Sequence, residues 1–466
     1  MKYLLINTPE TENIFGKSKI SVALPMNPPV SLASLGAVLL EEKQNVRILD
    51  LRISKYPIKD LNNTIKEFCP NYVGLTFTTP LFNEANRIVS HIKKRDKKIK
   101  IIAGGAHVSA LPYESMKNSE FDIVVVGEGE ETIREIAQNK KLSKIKGILH
   151  RDNGEIKINK PRELMKDIDN LPFPAWHLFD LSKYKTPRLS CKNNPVGPLE
   201  TSRGCVYGCV YCSKCIFKKR FRTKSVCRVI KEIEYMLKSG FKEIHIVDDM
   251  FSTDLQRAKD ICDEIIKRKL KFTWSLINGI RIDRIDEELL RKLKKAGCYR
   301  IAFGVESGDE EILKIINKGI TISQIKRAFN LANKVGIETV AFCMLGLPEE
   351  TIQSMQKTID LMKEIKPTIS KTSILLPLPG TPLFELWDKK GIILTKNWED
   401  YSFHASKRVY KHPNLTETEI FDYYKKFWRE LLLSPEFLFR RLIRDIKEGE
   451  LFWDIYYFLK TLKFGW

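Results

Sequence analysis

The chain alternates short, mostly apolar runs with longer stretches whose apolar residues recur at helical spacing. Near the amino terminus the runs Tyr3–Asn7, Tyr72–Phe77, Ile101–Ala103 and Ile123–Val126 predict strands buried on both faces. Between them, Leu32–Glu42 and Asn83–Lys94 carry helical patterns. Strand alternating with helix predicts an α/β unit over residues 1–150, a doubly wound parallel sheet of Rossmann-like form. Such sheets bind ligands beyond the carboxyl ends of their strands. Those ends carry Thr76 and Thr78, then Gly104-Gly105-Ala106-His107, then Gly127-Glu128-Gly129.

Over residues 151–195 the alternation stops. Leu171-Pro172-Phe173-Pro174-Ala175-Trp176 cannot continue a helix, because each proline removes a donor and restricts its neighbour. Its aromatics predict an ordered strap packed on a domain surface. From 196 to 395 strand and helix alternate again, with strands at Glu243–Val247, Phe272–Asn278, Arg300–Val305, Thr339–Leu345 and Thr372–Leu376. With the strand that leads into a cysteine-rich loop these predict a partial (β/α)6 barrel, whose chemistry gathers at the carboxyl ends. Residues 396–466 form a different region. Tyr423, Tyr424, Phe427, Trp428, Phe452, Trp453, Tyr456 and Tyr457 interleave with Lys425, Lys426, Arg429, Arg440, Arg441 and Arg444 on both sides of Pro435. This predicts a helical tail that either caps the barrel over its substrate or lies in a membrane interface.

A chain of 466 residues exceeds one ordinary core, so several domains are expected. The net charge of +21 favours anionic partners. Its basic residues are scattered in short groups such as Lys93-Lys94-Arg95, and no nucleic-acid-binding module accompanies them, so nucleic acid is not an expected partner. No apolar run approaches the ~18 residues a membrane span needs. The start of the chain lacks the long apolar region of a signal peptide. A cytoplasmic protein is expected, with peripheral membrane contact left open by the tail.

The most specific chemistry lies in Gly204-Cys205-Val206-Tyr207-Gly208-Cys209-Val210-Tyr211-Cys212. Three thiolates spaced C-x3-C-x2-C on one loop can hold three corners of a [4Fe-4S] cluster, which leaves one iron open to a reactant. Cys215 would complete a four-ligand zinc site, but one cramped into eleven residues, Cys205 to Cys215. Cys69, Cys191, Cys227, Cys262, Cys298 and Cys343 stand singly and are expected to be small buried hydrophobes.

That cysteine spacing resembles the radical S-adenosyl-L-methionine (SAM) superfamily. Val73-Gly74-Leu75-Thr76-Phe77-Thr78 and Ile102-Ala103-Gly104-Gly105-Ala106 resemble the cobalamin-binding domain of B12 enzymes. With the Leu-Pro-x-Pro strap between them, the order of parts is similar to that of B12-binding radical SAM enzymes. The resemblance implies a cluster on Cys205, Cys209 and Cys212, with SAM on the open iron and cleaved to a 5′-deoxyadenosyl radical. It places Tyr211 beside adenine and Asp248 near the SAM amino group. Asn278 lies at the same strand ends, and Arg281, Glu306, Ser307 and the Gly346 backbone have the chemistry to meet SAM's carboxylate, ribose and adenine. Cobalamin would lie against Thr76, Thr78, Gly104, Gly105, His107, Gly127, Glu128 and Gly129, with His107 at the cofactor edge or capping a helix.

Two departures matter. Asn7-Thr8-Pro9-Glu10 stands where many B12 enzymes carry an Asp-x-His-x-x-Gly loop, so cobalt would lack a histidine from that loop. Asp248-Asp249-Met250 replaces the Gly-Gly-Glu of many relatives. The implied activity is cobalamin-dependent methylation of an unactivated carbon or phosphorus. The alternative is oxidative cyclisation, rearrangement or carbon–carbon coupling on a lipid or tetrapyrrole-like substrate. Implied partners are a small-molecule or lipid substrate and an electron donor such as ferredoxin or flavodoxin, in an anaerobic setting that spares the cluster.

Overall fold

The computed structural model describes residues 1–9, 25–402 and 408–463. Glu10 of the amino-terminal loop and the side chain of Tyr457 lie outside the described residues. The first sheet has seven strands: β1 (Lys2–Asn7), β2 (Asn45–Asp50), β3 (Tyr72–Thr76), β4 (Lys100–Gly104), β5 (Ile123–Val125), β6 (Ile148–Asp152) and β7 (Glu155–Ile158). Their order is β2-β1-β3-β4-β5-β6-β7. The first five run parallel, and β6 and β7 add an antiparallel edge. The helices Val30–Glu41 and Phe82–Arg95 bury apolar stripes against this sheet.

The expected doubly wound sheet is present, with three strands more than the apolar runs announce. β2 is an edge strand whose Asn45 and Arg47 are exposed, so it lacks the continuous apolar run of a strand buried on both faces. β6 and β7 form a hairpin around Asn153 (φ 50°) and Gly154 (φ 86°). Asn-Gly is the preferred pair for such a two-residue turn because both positions need positive φ. The hairpin carries the first sheet to Ile158, past residue 150, where the sequence reading ends the first unit.

The second sheet contains β8 (Val196–Leu199), β11 (Glu243–Ile246), β12 (Thr273–Ile280), β13 (Cys298–Glu306), β14 (Glu338–Leu345) and β15 (Ile369–Ile374). It is six-stranded, ordered β15-β14-β13-β12-β11-β8, and parallel throughout. This is the open half-barrel that the alternation predicts. A short antiparallel pair, β9 (Ser202–Arg203) with β10 (Arg222–Thr223), closes the base of the cysteine loop. Helices outside the sheet start at side-chain caps, among them Asp254 and the capping boxes of Thr321 and Thr351, which satisfy otherwise orphaned amides.

The strap is ordered by its aromatics. Trp176 is buried, with its ring edge-on to Phe241 at 5.2 Å. Phe173 stacks on Tyr235 at 5.2 Å under the Arg228 guanidinium. The Ala175 amide donates to the Ala33 carbonyl, so the strap joins the first sheet's helix to the barrel's.

The tail divides into two parts. Helix Glu417–Leu432 packs through Ile420 on Leu345 and Met355, at the β15 edge. Helices Pro435–Glu448 and Leu451–Lys463 go elsewhere. Arg440 donates to the Lys366 carbonyl and Arg188 pairs with Glu450. Lys366 precedes β15 and Arg188 precedes β8, so this pair sits at the amino ends of the barrel strands. The expectation that the whole tail covers the substrate is therefore corrected: its last two helices lie opposite the cysteine loop. Among the described residues no helix is long and apolar enough to cross a membrane. Of the single cysteines, Cys191, Cys262, Cys298 and Cys343 are buried as expected, whereas Cys69 and Cys227 are exposed.

Candidate active site between the two sheets

The cysteine loop, residues 204–221, rises from the β9–β10 pair and crosses the carboxyl ends of the barrel strands. Gly204 starts it at φ 82°, where a Cβ would lie 2.0 Å from the Arg220 carbonyl oxygen; only glycine fits. Backbone bonds then pin the loop: Val210 N–H to the Ile316 carbonyl and Leu383 N–H to the Val210 carbonyl. Asn317 Nδ2 donates to the Gly208 carbonyl at 3.1 Å. Cys205, Cys209 and Cys212 are all partly exposed on this framework. Burial pushes the Cys212 thiol up, and Lys214, with Nζ 3.4 Å from the sulfur, opposes that shift. The Cys215 thiol instead donates to the Gly380 carbonyl. Among the described residues, no three His, Cys, Asp or Glu side chains are gathered as the ligands of one metal ion would be. Three soft donors on one pinned loop match in number and kind the donor set of a four-iron cube with one open iron.

Around the loop the rim residues divide into open and engaged groups. Glu306 ends β13 in the left-handed region (φ 66°) and pairs with Lys318 Nζ at 2.6 Å. Lys318 Nζ is also 3.5 Å from the Tyr211 hydroxyl, and the pair stands beside the adenine position expected of Tyr211. Gly346 (φ 77°) turns the chain at the end of β14. Asn278 is exposed at the end of β12 and donates to the Val247 carbonyl.

Arg281, expected to meet a carboxylate, is engaged elsewhere. Its guanidinium bonds Asp283 and the carbonyls of Lys318 and Gly319, and lies 3.5 Å from the Tyr207 ring centroid. It clamps the cysteine loop. Asp248 is buried and accepts bonds from the Thr201 amide and from the Thr201 and Ser202 hydroxyls, so it fixes the chain that enters the loop. Ser307 is wholly buried beneath the rim, where it accepts from the Asp309 amide.

Glu350, which the sequence reading did not single out, lies behind Gly346. One carboxylate oxygen accepts from the Gly346 and Leu347 amides at 2.7 and 3.0 Å. Burial raises its pKa from 4.5 to about 8. The folded state thus holds this proton more tightly than the unfolded chain, and stability falls as pH rises from about 4.5 to about 8. Glu350→Gln keeps an acceptor and removes the titration. Thermal midpoints across that range should fall for the wild type and stay flatter for the variant; equal slopes would rule Glu350 out as the cause.

The carboxyl ends of the first sheet face the same loop. A Cβ on Gly127 would lie 3.7 Å from the Ile216 carbonyl. Gly105 (φ 103°) passes so close to β3 that a Cβ would meet the Thr76 hydroxyl at 2.8 Å. Among the described residues, no atom lies within 4 Å of a Cβ built on Gly104. Thr76, Gly104, Gly127 and Gly129 are partly exposed and Thr78 is exposed, so these strand ends are reachable from the side of the cysteine loop.

Two expected cofactor contacts lie elsewhere. His107 is fully buried among Phe82, Phe77 and Trp398, with Nδ1 3.3 Å from the Thr79 hydroxyl. Burial lowers its pKa to about 4, so it is neutral core rather than cofactor edge. Glu128 is tied to Arg203 and Arg222 at 2.8 and 2.9 Å. Arg203 also bonds Glu130 and Glu200, each at 2.6 Å. This buried network, invisible as a motif, joins the end of β5 to the base of the cysteine loop. Lys214 lies two residues from Cys212 and was within reach of local reasoning, whereas Lys318 and Arg203 carry no local signal.

Comparison with known proteins follows the same division. The Radical SAM superfamily matches residues 199–362, and the B12 binding domain matches residues 20–137. The chain is 32% identical over 455 residues to an uncharacterized methyltransferase of Pyrococcus horikoshii, covering 96% of this chain and 95% of that protein. It is 27% identical over 398 residues to the anaerobic magnesium-protoporphyrin IX monomethyl ester cyclase of Rubrivivax gelatinosus, covering 83% and 69%. Its fold is similar to that of the radical S-adenosylmethionine methyltransferase TsrM of Kitasatospora setae, solved with cobalamin and a four-iron cluster bound. That similarity has a TM-score of 0.68 at 21% identity and covers 84% of this chain and 76% of that one. By its two matched domains, and by its likeness along nearly the whole length to the archaeal relative, the chain belongs to the B12-binding branch of the radical SAM superfamily.

Proposed function

We propose that the protein is a cobalamin-dependent radical SAM methyltransferase acting on an unactivated carbon or phosphorus. The observation that carries this reading is the facing arrangement: a three-thiol loop pinned across one sheet's carboxyl ends, against the glycine-bearing strand ends of the other. When bound, cluster and SAM supply a hydrogen-abstracting radical and cobalamin supplies a methyl carrier. The protein's own part is placement. Cys205, Cys209 and Cys212 hold the cluster; Tyr211, Asn278, the Glu306–Lys318 pair and the Gly346 backbone border SAM. Arg281 and Asp248 position the loop rather than touch the ligand. Thr76, Thr78, Gly104, Gly105, Gly127 and Gly129 border cobalamin.

Ring closure or coupling is the second reading, favoured by the cyclase relative. Products separate the two. With iron, sulfide and cobalamin restored under reducing, oxygen-free conditions, S-adenosylhomocysteine should appear alongside 5′-deoxyadenosine. 5′-Deoxyadenosine alone would favour the second reading, and neither product would sink both.

Gly104 supplies a separate check on cobalamin. Because no described atom lies within 4 Å of a Cβ there, Gly104→Leu should change stability by no more than about 0.5 kcal/mol while sharply lowering bound cobalamin. Unchanged retention would place the cofactor elsewhere.

The division into a cobalamin-type unit (to Ile158), a strap (to 195), a barrel (196–395) and a helical tail is part of this proposal, as are a cytoplasmic, anaerobic setting and an acidic one-electron donor such as ferredoxin or flavodoxin. The +21 charge supports an acidic donor. Peripheral membrane contact rests on Phe439, Ile446 and Phe452, exposed by 64%, 63% and 72%. Co-sedimentation with phosphatidylglycerol vesicles should be lost in a Phe439→Glu, Phe452→Glu double variant; binding that survives would assign the contact to another surface.

A further inference from the structure

Among the described residues, the inner face of the half-barrel carries a lysine, Lys371, without an anionic partner. Along β15, Ser370 and Thr372 are buried and Ile374 packs with Leu345, Met355 and Ile420, so that parity faces the outer helices. Successive strand residues point to opposite faces, which turns Lys371 and Ser373 into the barrel. Across the ladder, Lys371 pairs with Phe342. Phe342 and Met344 share the inner face, since Cys343 packs outward against Met362. Lys371 Nζ lies 5.8 Å from the Phe342 ring centroid.

Three other cations at this end and along this face are paired: Arg300 with Glu338 at 2.8 Å, Lys318 with Glu306 at 2.6 Å, Arg281 with Asp283 at 2.6 Å. Among the described residues Lys371 makes no hydrogen bond or ion pair, and it remains accessible to solvent. Partial desolvation by the strands around it, and then the nearby Arg300 charge, pull its pKa below the ordinary lysine value. On the inner wall, beside the Phe342 ring and the Arg300 charge, this solvent-reached cation is open to an incoming anion. Phe342 stands three residues before Leu345, where β14 ends. At roughly 3.3 Å per residue, Lys371 therefore lies about 10 Å below the rim that carries the cysteine loop.

We propose that Lys371 receives an oxyanion of the substrate, a carboxylate or phosphate, whose apolar body runs along Phe342 and Met344 toward the rim. This deepens the functional reading above and rests on it for the statement that the occupant is the substrate. The anion site itself does not depend on that reading. The depth acts as a ruler: the reacting atom at the rim and the anion at Lys371 must lie apart in the same molecule, so a small symmetric anion would not serve.

Anilinonaphthalene sulfonate, an anion with an apolar body, is a suitable probe for the intact chain. Lys371→Met should weaken its tightest binding about 10- to 100-fold, the worth of a hydrogen bond to a charged group, and Lys371→Arg should restore it. Binding by Lys371→Met equal to the wild type would overturn the proposal. A second measurement needs no variant. The probe should slow acetylation of Lys371 by an N-hydroxysuccinimide ester, mapped by mass spectrometry, while Lys314, whose side chain is 70% exposed, reacts at its unprotected rate. Equal rates at Lys371 with and without the probe would also overturn it. If wild-type protein fails to cleave SAM, the functional reading falls, and these two results still decide the anion site.

Discussion

Cys209→Ala will lose the cluster and all cleavage of SAM while keeping the fold. The loop does not need its thiols to hold its path. Val210 is fixed by backbone bonds to Ile316 and Leu383, Gly208 by Asn317, and Cys212 N–H by the Cys209 carbonyl. Removing one sulfur therefore leaves the scaffold and takes away one of three corners, and two thiolates cannot keep a cube with a single open iron. Iron and sulfide content after anaerobic reconstitution, with 5′-deoxyadenosine as the product measured, reads both consequences. Cys215→Ala is the matched control, because that thiol donates to the Gly380 carbonyl; it should retain cluster and cleavage. SAM cleavage by Cys209→Ala at the wild-type rate would refute the ligand assignment.

Arg203→Met should cost about 3–5 kcal/mol at neutral pH, the usual penalty for stranding buried charges. Its guanidinium, 6% exposed, meets Glu128, Glu130 and Glu200 at once. Arg222 can still serve Glu128, but Glu130 and Glu200 lose their cation. Burial alone would raise the Glu130 pKa; Arg203, by charge and hydrogen bond, brings it below its usual value. A depressed carboxyl pKa contributes stability above the unfolded value of about 4.5, and that contribution is lost as pH falls. Without Arg203 the sign reverses, since a stranded carboxyl is least costly when protonated. The gap between wild type and variant should thus be largest near neutrality and narrow below about pH 4.5. Unfolding midpoints in urea at several pH values measure it, and a gap below about 1 kcal/mol at neutral pH would show the network to be dispensable.

Much of the architecture was legible because burial on both faces writes itself into consecutive residues. Lys2–Asn7, Tyr72–Thr76 and Glu338–Leu345 are strands within about one residue of where the apolar runs place them. Asn45–Asp50 escaped because an edge strand keeps one side polar. The hairpin at Asn153-Gly154 carried its own turn signal, which long apolar runs elsewhere overshadowed.

The candidate site divides along the same line. Cys205, Cys209, Cys212 and Tyr211 lie within one turn-rich segment, so covalent spacing alone determined that three thiolates share a loop. Gly105 was readable too, because a backbone passing against Thr76 leaves no room for a side chain. Arg281 and Asp248 stand at strand ends, but their partners are other parts of the chain, since residue type says nothing of which partner arrives first. Arg203 meets Glu128 across 75 positions and Lys318 meets Glu306 across 12. Those pairs exist only once two sheets and a returning helix have packed.

Lys371 makes the point most sharply. In Ser370-Lys371-Thr372-Ser373 it reads as an ordinary surface lysine, and only the parity of β15 against its outer helices turns it inward. The sequence by itself determined the elements and the cluster loop, because apolar runs and cysteine spacing are local. Tertiary packing alone decided which charges meet, because that depends on distances between segments far apart along the chain.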